Sequence, residues 1–235
     1  EQLTYRVTLV GLVTNLGLCI LKITGGIVGQ SQAVIADGIH SVSDMSTDIA
    51  VLVGLRYWSE PADQSHPYGH GRLELIVSLG MALFLVAVSG GLVISALRAI
   101  RQQDYSQPGW IAFAAACVSV VAKEILFRWT LRRGRAIRSS ALIANAWHQR
   151  SDALSSIPPI VAIGAAWVEP AWAFLDPVGS IVVSLFIVQA AWHIGKDAVQ
   201  ELIDRGASRE EVRKIEQLAL DVEGVRDVHA VRTRS

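Results

Sequence analysis

Six apolar stretches, each close to the length of a membrane-crossing helix, constrain the fold of this chain more than any other feature. About 20 apolar residues are needed for a helix to cross a hydrocarbon core about 30 Å thick. The stretches cover residues 7–28, 33–55, 76–97, 110–131, 142–168 and 178–194, and the third contains no charged residue. The sequence therefore predicts an all-α membrane protein with six transmembrane helices.

The composition also indicates a chain that lies largely in lipid. Hydrophobic residues make up 51% of the chain, its mean hydropathy is +0.39, and charged residues make up only 18%, against about 25% in soluble domains. The 21 basic and 21 acidic residues give a formal net charge of zero, so no global attraction to nucleic acid is expected. We expect the lipid bilayer, and no nucleic acid, among the partners.

The distribution of basic residues predicts the orientation of the chain. An even number of spans places both termini on one side of the membrane, and Lys and Arg are enriched on the cytoplasmic side of membrane proteins. The other side carries mainly Arg98 and Arg101, whereas the side of the termini carries Arg6, Arg56, Arg72, Arg128, Arg132, Arg133, Arg135, Arg138 and Lys196. We therefore expect cytoplasmic termini and a plasma membrane location, the inner membrane in a bacterium. The first stretch is too long for a cleavable signal peptide.

Beyond residue 205 the sequence becomes polar. Ser208 followed by Glu211 matches a capping box, and apolar residues recur at helical spacing up to Val222. Residues 225–233 alternate between polar and apolar, a pattern typical of a strand. One helix and one strand are too little to bury a core. We therefore expect residues 206–235 to begin a small cytoplasmic α/β domain, incomplete here, after a transmembrane domain of residues 1–205.

Two His-x-x-x-Asp pairs lie inside the second and fifth apolar stretches: His40 with Asp44, and His148 with Asp152. Residues i and i+4 share one face of a helix, so each pair points in one direction. Ionisable groups within a bilayer are costly and usually mark an ion path. Two imidazoles and two carboxylates suit a tetrahedral zinc ion, and the carboxylates balance the charge of a dication. The pairs predict a transport site for a divalent cation, with zinc preferred.

Other ionisable residues lie in the same stretches. Asp48 is one turn beyond Asp44, where it is expected to relay ions or protons or to hydrogen-bond a ligating histidine. Direct ligation by Asp48 would instead favour Fe(II) or Mn(II), and the sequence leaves both roles open. Lys22 and Lys123 are interpreted as structural or snorkelling side chains. Asp37 is expected to cap the second helix.

A second group of metal-ligand side chains follows the second stretch. Asp63, His66 and His70 offer three donors within eight residues, in a loop whose Gly and Pro residues allow it to fold around an ion. A polar loop with solvated histidines explains the same residues. Taken alone, the loop favours the solvated interpretation.

Three segments together resemble the signatures of the cation diffusion facilitator family. Residues 36–44, 66–74 and 144–153 have the sequences ADGIHSVSD, HPYGHGRLE and ANAWHQRSDA. They occur in the family's order, and the resemblance covers essentially the whole chain. Members of this family are six-span metal/proton antiporters with a cytoplasmic metallochaperone-like domain, and they act as homodimers.

The resemblance implies roles for particular residues. It makes the loop group a metal site, and it implies a charge pair of Arg72 with Asp204 that joins the third span to the end of the sixth. It also implies that His229 is a ligand in the cytoplasmic domain, although the later ligands of that domain are absent here. The transport site that it implies consists of His40, Asp44, His148 and Asp152.

The expected function is efflux of a divalent cation, most simply Zn(II), in exchange for protons. A ligating His is neutral and a ligating Asp ionised, so metal and protons compete for one site. No cofactor beyond the transported metal is expected, and no enzymatic activity, since no His-Glu-x-x-His motif occurs. Two alternatives stay open: a non-transporting membrane sensor or scaffold for metal, and a transporter that prefers Fe(II) or Mn(II).

Overall fold

The computed structural model describes residues 2–57, 63, 65–67, 69–137 and 139–234. Within these ranges it contains helices and connecting segments, and no strand. The helices are α1 (Gln2–Val28), α2 (Gln32–Tyr57), α3 (Arg72–Gln102), α4 (Trp110–Ala136), α5 (Ser140–Ser155), α6 (Ile157–Val168), α7 (Leu175–Leu202) and α8 (Arg209–Leu220), with a short 3-10 helix at Pro170–Phe174.

Five helical segments of the described chain are long and apolar enough to cross a membrane: Leu9–Val28, Arg72–Gln102, Trp110–Ala136, Leu142–Val168 and Pro170–Leu202. Large apolar side chains such as Leu83, Phe84 and Trp192 are exposed on their surfaces, as lipid-facing residues are. The chain is therefore an integral, multi-pass membrane protein, as the sequence predicts. The helix α2, which carries His40 and three aspartates, is not among the five.

Hydrogen bonds between connections define one end of the bundle, which we call the far end. The Gly109 amide donates to the Gly29 carbonyl over 2.8 Å, the Trp167 indole donates to the Pro108 carbonyl, and the Ser31 hydroxyl donates to Asp176. The α1–α2 and α3–α4 connections, the end of α6 and the start of α7 therefore meet there. We call the opposite end the terminal end. There Arg72, at the start of α3, pairs with Asp204, just after α7.

Close packing at the far end depends on Gly29. A Cβ at this position would lie 2.6 Å from both Cβ and the backbone nitrogen of Ala112 on α4. The next residue, Gln30, turns the chain with a φ of 53°. This tight turn brings α1 and α2 side by side.

The fifth apolar stretch is interrupted at Ser156, between α5 and α6. Pro158 and Pro159 follow directly, and since proline has no amide hydrogen, neither can donate the i to i−4 bond that would continue α5. Ser156 itself is fully buried. The interruption lies one helical turn beyond Asp152.

The polar C-terminal part follows the prediction in its helix and departs from it in its strand. Ser208 and Glu211 form the predicted capping box at the start of α8, and no residue of α8 is buried. The strand predicted over residues 225–233 is not formed, because the described residues there have no regular structure. A strand is stabilised by a hydrogen-bonded neighbour, and the described part of the chain supplies none. The division at residue 205/206 stays a prediction.

Candidate functional site

Both His/Asp pairs line a single cavity of about 420 Å³, which we call the His/Asp cavity. The helix α2 supplies His40 and Asp44, and α5 supplies His148 and Asp152. The helix α7 closes the third side with Phe186, Gln189, Ala190 and His193. The structure thus brings together the two pairs that are 108 residues apart in the sequence, from His40 to His148.

The two pairs have nearly equal internal geometry and unequal exposure. His40 Nδ1 lies 3.9 Å from Asp44 Oδ1, and His148 Nδ1 lies 3.8 Å from Asp152 Oδ1. The His40, Asp44 and Asp152 side chains are largely buried, whereas the His148 side chain is 65% exposed. His40 Nδ1 is buried and has no hydrogen-bond partner among the described residues. A cation that reached the cavity would meet an open imidazole and two shielded carboxylates.

A buried lysine, which no motif in the sequence connects with this site, lies close to the cavity. Lys123 on α4 is 3% exposed, and its charge acts on Asp44, Asp152 and His40. The snorkelling interpretation is therefore wrong for Lys123, because a snorkelling ammonium reaches water. The structure thus places a basic side chain close to the two carboxylates of the cavity. The sequence signal for Lys123 was a charged residue within the fourth apolar stretch.

A second buried lysine forms a network beside the cavity. Lys22 Nζ lies 2.9 Å from Asp37 Oδ2, and both side chains are completely buried. Lys22 also donates to the hydroxyls of Ser41 and Ser156 over 2.9 and 3.1 Å, and the Ser156 hydroxyl donates to Asp37 over 3.0 Å. Lys22 therefore does not snorkel, and Asp37, six residues into α2, does not cap that helix.

The loop before α3 gathers its donors more tightly than the cavity does. Ligand atoms of Asp63, His66 and His70 all lie within 4.8 Å of one another, and no other His, Cys, Asp or Glu donors in the described ranges form such a group of three. Asp63 Oδ1 is 3.5 Å from His66 Nδ1, and Asp63 Oδ2 is 3.7 Å from His70 Nε2. The arrangement suits a cation at the surface.

Local hydrogen bonds hold the Asp63 carboxylate in place. The backbone amide of His66 donates to Asp63 Oδ1 over 2.5 Å, and the amide and hydroxyl of Ser65 donate to the same oxygen. These bonds lower the pKa of Asp63 below its ordinary value, and the bond from the His66 amide has the largest effect. They do so because they favour the ionised form of the carboxyl group. Gly69, with a φ of 81°, returns the chain toward His70.

Arg72 and His229 have partners outside both groups of metal-ligand side chains. Arg72 at the start of α3 donates to Asp204 just after α7, which joins the two helices at the terminal end. His229 is exposed and lies 3.3 Å from Asp227. The Asp48 side chain lies outside the described residues, so its role stays a prediction.

A bundle of apolar helices that encloses paired imidazoles and carboxylates defines a membrane protein with an interior suited to metal cations. The chain belongs to the cation diffusion facilitator family, as its sequence predicts. The profile of the cation efflux transmembrane domain matches residues 8–203.

Individual relatives support this assignment. The chain is 35% identical over 239 residues to metal tolerance protein C1 of Arabidopsis thaliana. This alignment covers 95% of this chain and 50% of that protein. It is 32% identical over 239 residues to the manganese efflux system protein MneP of Bacillus subtilis, in an alignment that covers 100% of this chain and 80% of that protein. It is 33% identical over 238 residues to mitochondrial metal transporter 1 of Saccharomyces cerevisiae, covering 90% of this chain and 46% of that protein. The chain thus spans about half the length of the Arabidopsis and yeast relatives.

Proposed function

We propose that this protein exports divalent metal cations in exchange for protons, through the His/Asp cavity. One observation carries the proposal: the two His/Asp pairs, from helices far apart in the sequence, line the same cavity. Membership of the cation efflux family supports transport. The cavity lies within the helical bundle, where a bound cation needs ligands that replace its water and balance its charge.

We propose that α2 is a sixth transmembrane span. We also propose that the protein lies in the plasma membrane, with both termini in the cytoplasm. Two features support this arrangement: α2 starts at the far end, and its 26 residues reach about 39 Å at 1.5 Å per residue. The His40 and Asp44 side chains of α2 line the His/Asp cavity, so they need not face lipid. A homodimer is proposed on the family resemblance alone.

Proton exchange follows from the ligands themselves. Imidazole nitrogens and carboxylate oxygens bind either a metal ion or protons, and each displaces the other. If the cavity is open to the cytoplasm in one state and to the outside in another, protons that enter from outside favour metal release there. Alternation of this kind around a fixed site is usual in secondary transporters.

We propose zinc as the preferred cargo, because two His and two Asp form a small tetrahedral set of nitrogen and oxygen donors. Manganese is the second candidate, because the relative MneP is a manganese efflux system protein. Manganese binds more oxygen ligands in a larger coordination sphere, which Asp48 would have to help provide.

Flux in proteoliposomes tests both candidates. Zn(II) and Mn(II) are offered separately to vesicles with a pH gradient, and the wild type is compared with Asp152→Asn and with Asp176→Asn, another buried carboxylate that lies outside the cavity. We expect faster flux of Zn(II), lost in the first variant and kept in the second. Faster flux of Mn(II) would refute the zinc assignment, and equal flux in protein-free vesicles would refute transport.

A further inference from the structure

The Lys22 network lies one helical turn beyond the metal ligands, on the side of the far end. Asp37 precedes His40 by three residues, about 4.5 Å along α2, and α2 begins at the far end. Ser156 follows Asp152 by four residues, and the chain continues through α6 to the far end. The network therefore ties α1, α2 and the α5–α6 interruption together immediately past the His/Asp cavity.

An apolar cluster lies further toward the far end. Val34, three residues before Asp37, packs with Ala112, Ala116 and Ile163, and all four are fully buried. In the opposite direction the cavity continues along α7: His193 lies seven residues from Phe186, toward the terminal end, and both line the cavity. The network and the apolar cluster thus lie between the cavity and the far end, whereas the cavity itself extends toward the terminal end.

We propose that the Lys22–Asp37 ion pair is the far-side gate of the transport path. It holds α2 against the α5–α6 interruption while the His/Asp cavity faces the cytoplasm, and it separates when the cavity faces outward. The inference rests on the proposed transport function. It assigns to Lys22, Asp37 and Ser156 a positioning role, since none of them touches the metal.

The chemistry of the network suits a gate better than a permanent joint. A buried ion pair contributes little net stability compared with apolar packing of the same volume, so its presence calls for another reason. A few directional bonds of about 3 Å form or break as a set. The interruption at Ser156 lacks the backbone hydrogen bonds that Pro158 and Pro159 cannot donate, so α6 can move relative to α5 there.

Cysteine labelling tests the gate without requiring transport. Val34→Cys is introduced into a chain with Cys19→Ala and Cys117→Ala, and a membrane-impermeant thiol reagent is added on the far side. The gate is removed by Lys22→Met with Asp37→Leu, which deletes both charges and leaves neither unpaired. We expect labelling of the introduced thiol to become about tenfold faster, within the usual range of coupling between two states.

Two further variants separate gating from loss of stability. Asp176→Asn breaks another buried polar contact at the far end, from α7 to α2, and should leave labelling slow even where it lowers the melting temperature. Ser156→Ala removes one member of the network and keeps the ion pair, so it should accelerate labelling about threefold. If the double variant does not fold, labelling of Ser156→Ala is the test of the gate. Unchanged labelling in a folded double variant, or equal acceleration by Asp176→Asn, would overturn the gate. Absence of metal flux in the wild type would instead refute the proposed function.

Discussion

Replacement of Asp152 by Asn should abolish metal transport while the protein stays folded. The Asp152 side chain is 12% exposed and shares the His/Asp cavity with Asp44, so together the two carboxylates balance one dication. Asn keeps the shape and one oxygen but removes the charge. With Lys123 also acting on the site, the loaded variant would carry a larger uncompensated positive charge than the wild type.

The size of the effect follows from Coulomb's law. Unit charges about 4 Å apart interact by about 4 kcal/mol at an effective dielectric constant of about 20. A loss of that size weakens binding by about a thousandfold. A dication bound directly to the carboxylate would lose at least this much.

Isothermal titration with Zn(II), on protein that lacks the loop ligands His66 and His70, measures the affinity at the cavity. Flux in vesicles measures the transport rate of the same variant. Asp176→Asn is the matched control, because that carboxylate is also buried, with 3% exposure, and lies outside the cavity. Wild-type affinity and flux in Asp152→Asn would refute the assignment of this residue as a ligand.

Four further predictions follow from the two sites. Replacement of His66 and His70 by Ala should lower the transport rate or its metal sensitivity a few-fold without abolishing it, since the loop lies outside the cavity; complete loss of flux in a folded variant would contradict this. Metal affinity at the cavity should weaken as pH falls from about 7.5 to about 5.5, because protons displace metal from imidazole, and a constant affinity in titrations would exclude histidine ligation. The lowered pKa of Asp63 means that its turn is stabilised above the ordinary carboxyl pKa of about 3.9 and loses this contribution only as pH falls through the lowered value, so the NMR shift of the Asp63 carboxyl carbon should titrate below the ordinary value; a titration at or above that value would contradict the hydrogen-bonded turn. His40→Asp should raise Cd(II) flux relative to Zn(II), because the larger ion accepts more oxygen ligands; competition between the two metals in the flux assay measures this, and an unchanged ratio would contradict it.

Local patterns predicted the elements of this fold well. Except at Ser156, the apolar stretches are helical wherever the structure describes them, and the capping box at Ser208 begins α8 as expected. The spacing of the His/Asp pairs also fixed which side chains share a helix face, since that depends only on the helical repeat. Pro158 and Pro159 mark the interruption after α5, although the apolar character of residues 142–168 predicted a single helix there.

Contacts between distant helices could not be predicted in the same way. Lys22 and Asp37 are 15 residues apart on separate helices, and no local pattern shows that they meet. Lys123 comes near the ligands only because α4 packs against α5. The predicted strand failed for a related reason, because alternation describes one face of a sheet but cannot supply its neighbour.

Coupled flux is the most direct test of the central claim. Purified protein in sealed vesicles is given Zn(II) on one side, and zinc uptake and the internal pH are recorded together with separate fluorescent indicators. The account predicts that zinc moves in one direction while protons move in the other, and that both fluxes vanish in Asp152→Asn and persist in Asp176→Asn. If folded wild-type protein in the vesicles binds zinc but moves neither zinc nor protons, the account is contradicted. The chain would then be a metal-binding protein that does not transport.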